Sequence, residues 1–270
     1  MSEALRKRIV TAVSLGAVLL VVLLALAPWV TVALVTVVVL AGAWEWSGFL
    51  RLTRPLLRAA YVALVGLLIL GAWRLAALTH GPVLVMRIAV LWWLVALAWV
   101  ALAPQRATPA TAALAGVLAL VPMWLAVVCL RLGGSTGAQW VVFTLILVFA
   151  ADIGAYFGGR LFGRVKLAPQ VSPGKTWEGV LGGMVLSSAW ALGGSVWFQL
   201  PWASFVPLCL AAVAFSIVGD LTESMLKRFA GLKDSGSLLP GHGGMMDRID
   251  SITAAAPVML YGLTLMGVAP

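Results

Sequence analysis

The sequence predicts an all-α, polytopic integral membrane protein with about nine transmembrane helices and a cytoplasmic, glycine-rich catalytic loop. Three observations carry this. Of the 270 residues, 63% are apolar and only 10% are charged, whereas soluble domains are about a quarter charged. Apolar runs close to the ~20 residues that a spanning helix needs recur along the whole chain. The Lys and Arg residues fall almost entirely on one side of the alternation those runs create.

The runs lie at 9–26, 29–49, 57–78, 82–103, 110–131, 137–162, 179–199, 202–228 and 251–269. Only Ala27-Pro28 separates the first two, and one continuous helix would leave too much apolar length for a bilayer, so a tight turn at Pro28 is expected. Arg6-Lys7-Arg8 ahead of an apolar run imitates a secretory leader, but the run is long and leads straight into a second, which makes it an anchor. With the N-terminus cytoplasmic, that side receives all the cationic residues except Arg74, Arg87 and Arg131, and Pro270 ends outside. Trp29, Trp44, Trp46, Trp177 and Trp202 fall near helix ends and read as interfacial anchors.

The net charge of +9 belongs to cations at membrane ends, with no basic, aromatic-interleaved soluble segment. It fits attraction to anionic membrane lipid and not nucleic acid. Cys129 and Cys209 lie inside apolar runs, with neither disulfide nor metal spacing, and act as small hydrophobes. Glu3 and Glu45 are the only acids before Asp152. Residues 1–131 therefore read as N-terminal scaffold and lipid-facing helices, and residues 137–270 as the catalytic region, with cytoplasmic loops at 160–178 and 229–250.

Polar residues in that second part form three islands. In the first, Asp152, Tyr156 and Arg160 follow at steps of four along one helix face, while Gly154, Gly158 and Gly159 equally suit close helix packing. The second, Ser172-Pro-Gly-Lys175-Thr176-Trp-Glu178, contains a Gly-Lys-Thr triplet. A phosphate-binding P-loop would require a glycine five residues before Gly174, where Pro169 stands, and a preceding buried strand. What remains is a turn that delivers Ser172, Lys175 and Thr176 beside a helix start, where a lysine and backbone N–H groups suit phosphate.

The third island is the densest, with nine charged groups within residues 220–250. Asp220, Ser224 and Lys227 share a helical stripe that Arg228 flanks. Glycines from Gly231 to Gly244 then forbid a straight helix and let backbone approach a ligand closely. Asp247-Arg248-Ile-Asp250 reopens a helix with its two carboxylates on one side. Carboxylates in this number beside Lys and Arg suit a divalent cation with polyphosphate, and Mg²⁺ commonly links one or two carboxylates to substrate phosphates. Neither cysteine pairs nor a histidine cluster supports zinc.

Ser224-x-x-Lys227-Arg228, Lys233-Asp234 and Pro240-x-His242-Gly243-Gly244-x-x-Asp247-Arg248-x-Asp250 together resemble the signature of the phosphatidate cytidylyltransferases, also called CDP-diacylglycerol synthases. The Asp152 island, the 172–178 segment and the polytopic layout are similar as well. Ala151 and Ile153 stand where the family often carries Asn and Thr, and Gly174 where a polar residue is frequent.

The resemblance implies transfer of a cytidylyl group from CTP to phosphatidate with release of pyrophosphate, in a multi-pass protein of the inner (cytoplasmic) membrane with its active site facing the cytoplasm. It also implies Mg²⁺ held by Asp220, Asp247 and Asp250, with a second cation as an option. Lys175, Lys227, Arg228, Lys233 and Arg248 would then grip phosphates. Ser172 and Ser224 would donate hydrogen bonds, His242 would contact phosphate or base, and Asp234 would either ligate the cation or orient Lys233. Thr176, Gly243, Gly244 and Asp152 would complete the substrate contacts, and family analogy suggests a homodimer. Two other readings of the same residues are a CTP-dependent lipid or polyprenol kinase and a cation-coupled transporter.

Overall fold

A computed structural model of the protein describes residues 16, 18–78, 80–236, 238 and 243–268. Expectations that fall on Arg6-Lys7-Arg8, Pro240, His242 and Pro270 lie outside the described residues. Eight long helices follow one another: α1 (Pro28–Phe49), α2 (Pro55–Ala76), α3 (Gly81–Leu102), α4 (Pro109–Leu132), α5 (Gly137–Phe162), α6 (Trp177–Trp197), α7 (Trp202–Ala230) and α8 (Met246–Leu265). Residues 18–25 are also helical, ahead of a break at Leu26-Ala27. The protein is an all-α, multi-pass membrane protein, and seven of the eight helices, α1 to α7, are long and apolar enough to cross a bilayer.

Proline punctuates this order. It occupies one of the first two positions of α1, α2, α3 and α4, where its missing N–H belongs to the unpaired first turn and its φ suits a helix. The turn expected at Pro28 is present, and Arg131 of α4 fastens it by donating to Leu26 O at 3.2 Å and Thr31 Oγ1 at 3.3 Å. At the other extreme, α7 stops at Gly231, whose φ of 75° lets a left-handed residue close the helix.

The expected count of about nine spans is not reproduced among the described residues, and the departure lies partly at the C-terminus. α8 starts at Met246 and not at 251, takes Asp247 and Asp250 into its first turns, and is enclosed by α7, α4 and α3. Every residue from Ser251 to Leu260 is buried. With Asp247, Arg248 and Asp250 in its first turns, α8 is less apolar than the seven helices fit to cross a bilayer, and its apolar middle is covered by protein. α4 is the second interior helix, and one continuous core runs from Leu23 through α4 to Leu263.

Four of the five expected interfacial tryptophans, Trp29, Trp44, Trp177 and Trp202, are exposed at helix ends, but Trp46 is buried. Its Nε1 donates to Ala112 O at 2.8 Å, and Tyr61 Oη donates to Ala113 O at 3.0 Å. Gly116 leaves the room these rings need. The cytoplasm-assigned end of α1 is thereby fixed onto α4.

The segment expected as a plain loop at 160–178 is more ordered. α5 runs to Phe162, and an antiparallel hairpin of β1 (Lys166–Ala168) and β2 (Ser172–Thr176) leads directly into α6. Pairing of Lys166 with Thr176 and Ala168 with Ser172 makes β2 bulge around Pro173-Gly174. Both carboxylate oxygens of Glu178 accept from Val165 N, at 3.1 and 3.2 Å, and Thr176 Oγ1 caps α6 by accepting from Gly179 N at 3.2 Å.

α5 and α6 cross with their backbones in close contact. A Cβ on Gly158 would lie 2.7 Å from Glu178 O, and one on Gly183 would lie 2.8 Å from Ala151 O, with Gly154 and Gly182 in the same mutual contact. Small residues in this pattern let helix backbones touch within a membrane. Replacement Gly154→Val should cost at least the ~1–3 kcal/mol typical of overpacking and lower the melting temperature of the detergent-solubilised protein by several degrees. Gly193→Ala, which meets nothing within 4 Å, should leave it unchanged or slightly raised, so equal melting of the two variants would contradict the crossing.

Candidate active site

The polar islands meet where the last turns of α7, the first turns of α8 and the hairpin come together. Gly219 permits this approach: a Cβ there would stand 2.6 Å from Asp250 O. From that crossing, α7 presents Asp220, Glu223, Ser224 and Lys227 at the helical spacing that the sequence suggests.

Lys227 is the centre. Its Nζ lies 2.7 Å from Asp247 Oδ1 and 3.4 Å from Glu223 Oε2. Asp247 also receives hydrogen bonds from Ser235 N at 3.1 Å and Gly244 N at 2.8 Å, both to Oδ2. Gly243, at φ 81°, turns the chain so closely past Asp247 that a Cβ would reach its Oδ2 at 2.8 Å. Glu223 is 1% exposed, and neither of its oxygens has a hydrogen-bond partner. It stands within electrostatic reach of Asp220, Asp247 and Asp250.

A second pairing faces it from the hairpin. Lys175 Nζ is 2.5 Å from Asp220 Oδ2, and Ser224 Oγ donates to Asp220 Oδ1 at 3.3 Å. Lys175 and Asp220 border a cavity of about 570 Å³ whose walls also include Asp152, Tyr156 and Arg160 of α5, Gly174 and Thr176 of β2 and Ser251 of α8. Asp152 interacts with the charges of Asp220 and Lys175. Arg160 Nη1 donates to Tyr156 Oη at 2.5 Å.

The structure thus brings Asp152, Lys175, Thr176, Asp220, Ser224, Lys227, Asp247 and Asp250 into one region. It does not bring all the expected residues there. Arg228 points to a separate cavity of about 200 Å³ with Gln105, Gln170 and Phe229, because it sits one residue, about 100° of helix, round from Lys227. Ser172 pairs with Ala168 across the hairpin and does not line the large cavity. Lys233, Asp234 and Arg248 are exposed at the loop and at the start of α8. Gly244 is buried against Ser235 and Glu45.

Three participants escaped the sequence reading. Glu223, an acid four residues before Lys227, counts among the nine charges of the third island but was given no role. Ser235 lay unremarked among glycines. Glu45 belongs to the half read as scaffold, yet its Oε2 accepts from Ser235 Oγ at 3.0 Å and Met246 N at 2.9 Å. A lone carboxylate within an apolar helix was the available signal.

Lysine–carboxylate pairs beside a cavity among apolar helices give this multi-pass membrane protein a polar site of the kind an enzyme needs. The chain belongs to the cytidylyltransferase family, whose model matches residues 6–266. It is 39% identical to a phosphatidate cytidylyltransferase of Haemophilus influenzae, over 95% of this chain and 98% of the relative. It is 41% identical to a phosphatidate cytidylyltransferase of Pseudomonas aeruginosa, over 82% of this chain and 83% of that one. A Brucella suis protein of the same description is 46% identical over 47% of each chain. The kinase and transporter readings find no support in these relatives.

Burial alone would raise the Asp247 carboxyl, but the hydrogen bond and charge of Lys227 and the N–H groups of Gly244 and Ser235 outweigh it and hold the group below its usual range. A depressed folded-state pKa contributes stability that is fully present above the unfolded value, about 3.9, and is lost as pH falls through the folded one. Asp247→Asn should therefore melt lower than the parent by the equivalent of about 1–3 kcal/mol at neutral pH. The gap should hold down to about pH 5 and narrow below about pH 4. A gap that stays constant to pH 3 would show that Asp247 owes nothing to its ionised form.

Proposed function

We propose that the protein transfers the cytidylyl group of CTP to phosphatidate, forming CDP-diacylglycerol and pyrophosphate, at the cytoplasmic face of the inner membrane. The observation that carries this reading is the full-length similarity to phosphatidate cytidylyltransferases in a chain that assembles Lys175, Asp220, Lys227 and Asp247 beside a cavity among spanning helices. A phosphate oxygen of phosphatidate would attack the α-phosphorus of CTP. The bond from that phosphorus to the bridging oxygen would break, and pyrophosphate would leave with the electron pair.

The attacking phosphate is already ionised near neutral pH, since its second pKa is about 6, so no strong general base is required. Two anions must instead be brought together, and positioned cations supply most of the help in such a transfer. Lys175 at the cavity wall would meet the lipid phosphate, and Lys227 a phosphate of the nucleotide. Diacylglycerol tails would remain in the leaflet beside α5, α6 and α7, which supply most of the cavity lining.

The donor set suits Mg²⁺, which favours oxygen ligands and shares them between carboxylates, water and substrate phosphates. Glu223 is buried with Lys227 as its opposite charge, beside more carboxylates than the nearby lysines neutralise. Among the described residues, no group of three or more His, Cys, Asp or Glu side chains already stands in a metal-holding arrangement. Asp220, Asp247 and Asp250 would hold it. Asp247 offers about four lone-pair positions, and its donors Lys227, Ser235 N and Gly244 N leave room for one more contact. Bound there, the ion would neutralise charge on the transferring phosphates.

Purified protein mixed with CTP and phosphatidate should release pyrophosphate in step with CDP-diacylglycerol. Chelation should stop the reaction and Mg²⁺ should restore it. Lys175→Gln should lower kcat/KM by roughly 10- to 100-fold, the equivalent of one charge-assisted hydrogen bond. Release of CDP in place of pyrophosphate would overturn the assignment.

A further inference from the structure

We infer that Glu45, on α1 of the N-terminal half, is a positioning residue that sets the place of Asp247, an inference that rests on the proposed role of Asp247 in cytidylyl transfer. Glu45 is 3% exposed and hangs the loop before α8 from both ends. Its Oε2 accepts from Ser235 Oγ, on the outgoing limb, and from Met246 N, on the returning limb next to Asp247.

Ser235 passes the constraint on. Its Oγ donates to Glu45 and accepts from Asp247 N at 3.3 Å, while its N–H donates to the Asp247 carboxylate at 3.1 Å. The backbone and the carboxylate of Asp247 are therefore both referred to one serine, and that serine to Glu45. The two limbs close tightly on the same side chain: a Cβ at Gly236 or Gly244 would run into the Glu45 carboxylate. Glycine is needed here for close approach, not for chain flexibility.

Glu45 is a fixed point in turn. The next residue, Trp46, is buried and bonded to Ala112 O. Two residues on, Ser47 Oγ donates to Trp44 O at 2.5 Å and accepts from Arg58 Nε at 2.7 Å. A buried carboxylate is costly and persists where its hydrogen bonds hold a geometry in place. Here it transmits the rigidity of the α1–α4 contact to the two limbs that carry Ser235 and Met246. Reactions that depend on placement lose rate steeply when a group shifts by about 1 Å.

The test uses full-length protein in detergent or nanodiscs with CTP and phosphatidate. Glu45→Ala is expected to lower kcat at least about tenfold with KM for phosphatidate changed less than about twofold. Glu45→Gln, whose amide oxygen can accept both hydrogen bonds, should stay within about threefold of the parent. Ser235→Ala should reproduce the loss, and the double variant should add little to either single one, as expected for residues in one chain of contacts.

Hydrogen exchange provides a readout that does not depend on turnover. Amides of Ser235 and Gly244 to Asp247 should exchange at least about tenfold faster in Glu45→Ala, with α5 and α6 unchanged. If Glu45→Ala does not yield monodisperse protein, Ser235→Ala carries the same expectations. Unchanged kcat and exchange in Ser235→Ala, an equal loss in Glu45→Gln and Glu45→Ala, or additive effects in the double variant would overturn the inference. A parent protein that makes no CDP-diacylglycerol would defeat the proposed function alone, since the exchange measurement still judges the positioning.

Discussion

Lys227 lies between Glu223 and Asp247 in a region that little water reaches, and the geometry of the whole site depends on that ammonium having partners on two helices. A charge in such a place is costly when alone and tolerable when paired and hydrogen-bonded. Pairing with Glu223 comes from α7 itself, at a spacing of four. Pairing with Asp247 reaches across to α8, and it requires the two helices to meet at Gly219, where no side chain intervenes. The electrostatic demand of one lysine thus selects a particular crossing of α7 on α8, and the glycine makes that crossing sterically available.

The same logic runs through the hairpin. Lys175 reaches Asp220 only because β2 ends against the start of α6, with Thr176 acting both as the last residue of the strand and as the helix cap. α6 in turn is set by its glycine contacts with α5, which bring Asp152 to the far wall of the cavity. Packing of apolar and glycine surfaces within the membrane therefore decides where three separate charged islands converge. None of the islands has enough sequence-local structure to do so itself.

Much of this was legible in the chain. Helices α1 to α7 follow from apolar runs, and the Asp220, Ser224 and Lys227 stripe follows from helical spacing. The pairs Lys175 with Asp220 and Lys227 with Asp247 were not legible, because their partners are 45 and 20 residues apart and no period links them. Arg228 shows the limit of adjacency: next to Lys227 in sequence, it faces another cavity. The run at 251–269 reads as a span because it leaves out the charged first turn, Asp247, Arg248 and Asp250, that keeps α8 as a whole from being apolar enough to cross a membrane. Glu45 was hidden for a different reason. Its role depends on α1 lying beside a loop almost two hundred residues away, and the sequence shows only a single acid between two tryptophans.

The pairing pattern also bears on how the proposed chemistry would begin. Lys175 and Lys227, the two cations best placed for phosphate, each hold a carboxylate assigned to cation binding, Asp220 and Asp247. Substrate binding would then be an exchange of partners: the lysines trade carboxylate for phosphate while the carboxylates trade ammonium for a divalent ion. Each charge keeps an opposite neighbour throughout, so no group has to be stripped bare in a low-dielectric setting, the most expensive event such a site could impose. An exchange of this kind works only if the carboxylates stay in place when the lysines leave. Asp247 meets that condition through bonds independent of Lys227, since Ser235 N and Gly244 N continue to hold it, and both lie on limbs anchored at Glu45. The acid from the N-terminal half is therefore the part of the arrangement that does not need to change partner when substrate arrives.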